Sequence, residues 1–139
     1  MSRIHVTYFV VEFGDCDPAQ IVFYPNFFRW MDAASLRFFT AAGVPPWHRR
    51  RADDGIIGTP LVDAHARFIA PATYGEKIAV ETSIAEWRKK SFVMRHVIRR
   101  GETVLVEGRE VRVFARRHPD DPLRIEAVPP PEAIRKLCE

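Results

Sequence analysis

The chain has 139 residues, which suits a single domain spanning 1–139. Apolar residues make up 47%, enough for a buried core, yet no apolar run reaches the ~20 residues that a bilayer crossing demands. The net charge of +3 and pI near 9.1 favour an anionic partner. Zinc spacing, a helix-turn-helix pattern and an RNA-binding aromatic motif are all missing, so a phosphorylated small molecule fits that charge at least as well as nucleic acid does. The N-terminus, Met1-Ser2-Arg3-Ile4-His5, lacks the apolar region of a signal peptide. Two cysteines, Cys16 and Cys138, make no disulfide framework, and a reduced cytoplasmic setting is the expectation.

Residues Ile4 to Phe13 are rich in β-branched and aromatic types and read as a strand. A loop holding two acids, two prolines and a glycine follows, from Gly14 to Asn26. A helix then runs from about Tyr24 or Pro25 to Ala42, with Pro25 at its first turn and Gly43 as its C-terminal cap. At 100° per residue, Phe27, Trp30, Met31, Ala34, Phe38, Ala41 and Ala42 share one face. Arg29, Ala33, Arg37 and Thr40 form a narrow opposite strip, and Phe28, Ser35, Phe39 and Asp32 lie on a flank. A helix this apolar is expected to be wrapped by a sheet or shared with a partner chain.

A short second helix is expected between Pro45 and about Asp53. Extended segments follow at Ile56–Phe68, Lys77–Trp87, Ser91–Arg99 and Thr103–Ala115, with hairpins near Lys89 and Gly101. Val104 and Val106 alternate in one phase, Val111 and Val113 in the other, so a β-bulge is expected near Gly108. Val128-Pro129-Pro130-Pro131 reads as a stiff linker to a short terminal segment. One strand, a long helix and four strands make an α+β domain with an antiparallel sheet.

The loop holds the strongest candidate for chemistry. Asp17 precedes Pro18, which keeps it on extended backbone, and the helix directs its N-terminus back at the loop. There a carboxylate can attack or activate water while free N–H groups hold an oxyanion. From its spacing alone, an Asp in a loop before a helix is most often a cap or turn residue. Asp15 reads as a turn or cap residue. Cys16 as a nucleophile has no identifiable base, and a small buried thiol is the plainer reading. The five histidines, His5, His48, His65, His96 and His118, show no metal-ligand spacing.

Three stretches, Gly14-Asp15-Cys16-Asp17-Pro18-Ala19, Ile21-Val22-Phe23-Tyr24-Pro25-Asn26 and Trp30-Met31-Asp32-Ala33-Ala34-Ser35, closely resemble the signature of the 4-hydroxybenzoyl-CoA thioesterase family. The resemblance continues in Gly43-Val44-Pro45-Pro46-Trp47, Gly55-Ile56-Ile57-Gly58-Thr59-Pro60, Glu86-Trp87-Arg88-Lys89-Lys90-Ser91-Phe92 and Glu110-Val111-Arg112-Val113-Phe114-Ala115. It implies the hotdog fold, with about five antiparallel strands wrapped around the long helix. It also implies dimers that join their sheets, active sites between subunits, and commonly a homotetramer.

The implied activity is hydrolysis of an acyl-CoA thioester, an aromatic one such as 4-hydroxybenzoyl-CoA, with no metal or redox cofactor. The resemblance casts Asp17 as nucleophile or general base and the Tyr24 backbone N–H as the carbonyl donor. It casts Asp32, Trp47 and Thr59 as the acyl pocket, where a carboxylate and a hydroxyl receive the phenol. It casts Arg88, Lys89, Lys90 and Ser91 as the contact to the phosphates of coenzyme A. Without it, Asp32 is a solvated or salt-bridged acid, Thr59 a turn residue, and the basic tip a solvated hairpin end. Gln20 departs from the family pattern, which usually has glycine there. A hotdog hydratase or dehydratase is a rival reading, against which stands a helix without histidine. A non-catalytic acyl-CoA binder is another, and it would have no use for Asp17.

Overall fold

The structure is a computed structural model of the chain, and it describes residues 3–139. β1 (Ile4–Val10) leads through one 3-10 turn (Phe13–Asp15) and the loop into α1 (Pro25–Ala41). Then come α2 (Trp47–Asp53), β2 (Ile56–Gly58), β3 (Leu61–Phe68), β4 (Lys77–Trp87), β5 (Phe92–Arg100) and β6 (Thr103–Arg112). The chain finishes with β7 (Phe114–Arg117), β8 (Ile125–Val128) and α3 (Glu132–Leu137). Five strands form an antiparallel sheet in the order β1-β4-β5-β6-β3, and β2-β7-β8 form a second, smaller one.

α1 lies along the inner face of the larger sheet. Its first half packs Phe27, Trp30, Met31 and Ala34 against Ile78, Val80, Ile98, Leu105 and Val106. Its second half sets Phe38 and Phe39 among Ile84, Phe92, Met94 and Phe114. Gly108 lets the helix approach this closely, because a Cβ there would come within 2.6 Å of the Met31 sulfur. This is the α+β hotdog arrangement. The buried face of α1 is wider than the apolar periodicity indicates. Ser35 and Phe39 are buried, while Ala41 faces out.

Three strand bounds expected from the pattern are corrected. The segment Ile56–Phe68 breaks at Thr59-Pro60 into two strands of different sheets. Its partner Thr103–Ala115 breaks at Val113, whose N–H donates to the Pro60 carbonyl (3.2 Å), so both strands change sheets at one point. The first strand stops at Val10, because Phe13–Asp15 coils into a turn. Val128-Pro129-Pro130-Pro131 does join β8 to the short terminal helix, but that tail is docked on the domain: β8 pairs with β7, and Ile134 and Cys138 are buried in the second core.

The irregularity in β6 is not at Gly108. Register runs unbroken there, with His96 opposite Gly108 and Arg95 opposite Arg109. It shifts earlier, where Ile98 opposes Val106 and Arg99 opposes Val104, leaving Leu105 as the extra residue. The inner phase of β6 is Val106, Gly108, Glu110 and Arg112. Val111 and Val113 lie off this inner phase and are only half-buried, so the opposite phases need no bulge at Gly108.

Gln20 has φ of +66°, in the left-handed region that glycine adopts freely. Replacing Gln20 with Gly removes a side-chain clash of about 1–2 kcal/mol and returns part of it as unfolded-chain entropy. The expected net gain is ~1 kcal/mol, seen as a higher denaturation midpoint. A lower midpoint would mean that the Gln20 side chain is itself holding the turn.

Candidate active site

The loop around Asp17 is a tight hairpin. Cys16 and Val22 form a bridge, and the Asp17 N–H donates to the Ile21 carbonyl (2.9 Å). The Gln20 N–H closes the turn on the Asp17 carbonyl (2.8 Å). Asp then Pro at the first two positions is what such a turn favours. Asp17 Oδ1 accepts from the Ala19 N–H (2.9 Å), an Asx turn that fixes the side chain. Among the described residues no donor reaches Oδ2. Asp17 is half-buried and lines a cleft of about 410 Å³ with Phe13, Gly14, Cys16, Pro18, Gln20 and Tyr74.

Asp15 has a different role. Its Oδ2 accepts from the Glu12 N–H (2.8 Å), its Oδ1 pairs with Arg29 of α1 (2.9 Å), and its carbonyl accepts from Asn26 Nδ2 (2.8 Å). It therefore ties the loop to the start of the helix. At that start Tyr24 is the N-cap and Pro25 the first residue. Pro25 has no N–H, and the Asn26 N–H is taken by the Phe23 carbonyl (2.9 Å). The Tyr24 N–H has no acceptor among the described residues. The Tyr24 ring packs edge-on against Phe23 and Phe68 and is 58% exposed.

Asp32, Trp47 and Thr59 line one cleft of about 420 Å³, together with Ser35, Leu36, Ile57, Pro60 and Arg112. Asp17 and Tyr24 do not join them in a single chain. Tyr24 belongs to an apolar groove with Ile21, Phe27, Phe68 and Ile69, separate from the Asp17 cleft. Eight residues of helix separate Tyr24 from Asp32, or ~12 Å of rise. At the β4–β5 hairpin tip, Arg88 N–H donates to the Ser91 carbonyl (2.9 Å) and the Arg88 guanidinium pairs with Glu86 (3.1 Å). Lys89 and Lys90 are exposed there. Edge strand β3 is exposed along nearly its whole length, including Leu61, Val62 and Phe68.

Beneath the Asp32 cleft runs a buried polar chain. His96 Nδ1 lies 2.8 Å from Thr82 Oγ1, and His96 Nε2 donates to Glu110 Oε1 (2.6 Å). Ser35 Oγ donates to the same oxygen (2.5 Å). Arg112 donates to Glu110 Oε2 (2.7 Å), to the Thr59 carbonyl (2.8 Å) and to Asp32 Oδ1 (2.8 Å). Burial alone raises the Glu110 carboxyl, but bonds from His96 and Arg112 and their charges outweigh it and hold it at about 2. Burial alone lowers Arg112, and Glu110 and Asp32 more than reverse it, so its pKa is raised. Sequence reasoning passed over this chain. The signal was present as a shared phase: His96 alternates with Met94 and Ile98, while Glu110 and Arg112 alternate with Val106.

Residues 11–137 match the sequence profile of the thioesterase-like superfamily. The chain belongs to that superfamily. It is 45% identical over 133 residues to the 4-hydroxybenzoyl-CoA thioesterase of Pseudomonas sp. (strain CBS-3), covering 92% of each chain. A solved structure of a 4-hydroxybenzoyl-CoA thioesterase, its D17N mutant complexed with 4-hydroxybenzoyl-CoA, superposes with a TM-score of 0.92 at 40% identity, over 99% of this chain and 100% of that one. A gentisyl-coenzyme A thioesterase superposes at 0.79 and 35% identity, over 96% and 98%. The protein is thus a thioester hydrolase of the 4-hydroxybenzoyl-CoA thioesterase family, with the hotdog fold.

The buried chain has a pH signature. Glu110 titrates well below its ordinary value of 4.5 in the folded state, so its stabilisation is complete above that value. It is lost as pH falls from there toward about 2. Wild type is expected to lose on the order of 3 kcal/mol over that window from this group, and Glu110→Gln to lose correspondingly less. Unfolding titrations across the acid range measure the difference, and parallel pH curves would contradict it.

Proposed function

We propose that this enzyme hydrolyses an aromatic acyl-CoA thioester, 4-hydroxybenzoyl-CoA or a close relative, to the free acid and coenzyme A. The observation that carries this is the Asp17 carboxylate, held through one oxygen by the Ala19 N–H, while the other oxygen has no partner among the described residues. That is the arrangement a nucleophile or general base needs. As nucleophile, Oδ2 attacks the thioester carbonyl, the thiolate of coenzyme A leaves, and water cleaves the mixed anhydride. As base, Asp17 takes a proton from the water that attacks the carbonyl directly. Thiolate is a good leaving group, so neither route needs an acid, a metal or a redox cofactor.

The Tyr24 N–H, without an acceptor among the described residues, is the candidate donor to the thioester oxygen, assisted by the helix dipole. Its role is through backbone, so the phenol is dispensable. Asp32, Thr59 and Trp47 share a cleft of the size that an aryl acyl group needs. Lys89 and Lys90, with Arg88 and Ser91, form an exposed cationic tip suited to phosphates. Two relatives act on hydroxylated aromatic acyl groups, by their names.

Asp17, Tyr24 and the Asp32 cleft lie apart in one chain, so the reading places the working site between two copies. The exposed apolar edge of β3 favours sheet-to-sheet pairing, with a tetramer as a pair of such dimers. The described residues contain no helix long and apolar enough to cross a membrane, and we place the enzyme in the cytoplasm.

Thiol release from 4-hydroxybenzoyl-, benzoyl-, phenylacetyl- and butyryl-CoA tests this. Asp17→Asn keeps the Oδ1 acceptor of the Asx turn, so it removes chemistry and not the fold. It is expected to lower kcat by about 10²–10⁴-fold or more, whereas Tyr24→Phe stays near wild type. Equal turnover by Asp17→Asn and wild type rejects the catalytic role. Lys90→Ala is expected to raise KM for any active thioester more than it lowers kcat, and the reverse pattern removes Lys90 from the phosphate contact.

A further inference from the structure

We infer that Arg112 is a positioning residue that sets the acyl pocket's preference for a ring hydroxyl, by holding the Asp32 carboxylate from within the core. This rests on the acyl-pocket reading above. The Arg112 guanidinium joins three elements at once: Asp32 of α1, the Thr59 carbonyl at the turn before β3, and Glu110 of its own strand. Its side chain is only 6% exposed, while that of Asp32 is 72% exposed. A buried cation thus grips an exposed carboxylate from below. It takes Oδ1, and no donor among the described residues reaches Oδ2. An exposed aspartate on a helix ordinarily turns freely. Here the freedom is removed before any substrate arrives, which lowers the cost of accepting a hydroxyl.

Arg112 is itself immobilised. Glu110 spends Oε2 on it and gives Oε1 to Ser35 and His96, and His96 is held in turn by Thr82. All of these side chains are buried. A buried ion pair is poor at adding stability, since a packed apolar set of the same volume often does as well or better. Stability therefore does not explain why the chain continues outward to Asp32 and to the Thr59 carbonyl. Presenting two pocket groups at a fixed separation does. A site whose polar groups are pre-placed for a hydroxyl discriminates against the analogue lacking it.

The test is the ratio of kcat/KM for 4-hydroxybenzoyl-CoA over benzoyl-CoA, in Arg112→Lys, Asp32→Ala and the double variant. Lysine keeps the charge that Glu110 requires but has no fork to span Asp32 and Thr59. Arg112→Lys is expected to lower the ratio by about tenfold or more, chiefly through the hydroxylated substrate. In the Asp32→Ala background it is expected to lower the ratio no further, because it acts through Asp32. If Arg112→Lys melts below the assay temperature, Glu110→Gln loosens the same guanidinium and is expected to move the ratio the same way. An equal loss on both thioesters shows a merely structural role and overturns the inference, as does an additive effect in the double variant. In both of those outcomes wild-type turnover and its dependence on Asp17 stand. A wild type that cleaves no thioester, by contrast, defeats the proposed function itself and this inference with it.

Discussion

A charged pair occupies the centre of this fold, where Glu110 and Arg112 point inward from β6 beneath the long helix. Charges in that position must be matched group for group, or the cost of removing them from water is prohibitive. The surrounding structure answers that demand. Ser35 turns to the buried flank of α1, and His96 of β5 meets Glu110 from the neighbouring strand. Thr82 of β4 meets the far nitrogen of His96. The phase of β6 follows from the pair, and with it the extra residue at Leu105. Gly108, two residues before Glu110 in the same phase, leaves space for Met31. Helix and sheet are thus joined by polar geometry in the middle and by apolar packing at either end.

The loop before α1 follows a second local logic. Asp15 and Asp17 lie two residues apart and do unlike work. Asp15 is saturated by Glu12, Arg29 and Asn26, and so belongs to the scaffold. Asp17 is oriented by one backbone bond, and its other oxygen has no partner among the described residues. Pro18 and the left-handed Gln20 shape the turn between them, and Thr73 secures it by donating to the Gln20 carbonyl (2.6 Å). A non-glycine residue at +66° is local strain, and here it sits at the rim of the Asp17 cleft.

Three concavities of the chain are separate from one another. One holds Asp17, a second is apolar and includes Tyr24, and a third holds Asp32, Trp47 and Thr59. Beside them runs β3, a long edge strand with apolar residues in solvent, the kind of edge that proteins rarely leave uncovered. In the proposed enzyme these features have one explanation: clefts and edge alike are halves of something that two copies complete.

Much of the architecture was legible in the residues. Pro25 and Gly43 bracket α1, alternation marks Lys77–Trp87 as β4 to the residue, and Asp-Pro marks the turn that carries Asp17. These signals are local, arising from the φ of proline, the period of a strand and the reach of an aspartate to its own backbone. The linear motif also carried the family. What the sequence could not disclose was which side of a strand faces inward when the inner residues are charged. Alternation says only that two faces differ, and the apolar one is assumed to be buried. His96, Glu110 and Arg112 reverse that assumption because each finds its partner on another element, 14 to 80 residues away. The sheet change at Thr59-Pro60 and the docking of Ile134 are likewise long-range. A residue's own chemistry determines what it can pair with. Only the tertiary structure decides whether that partner is there.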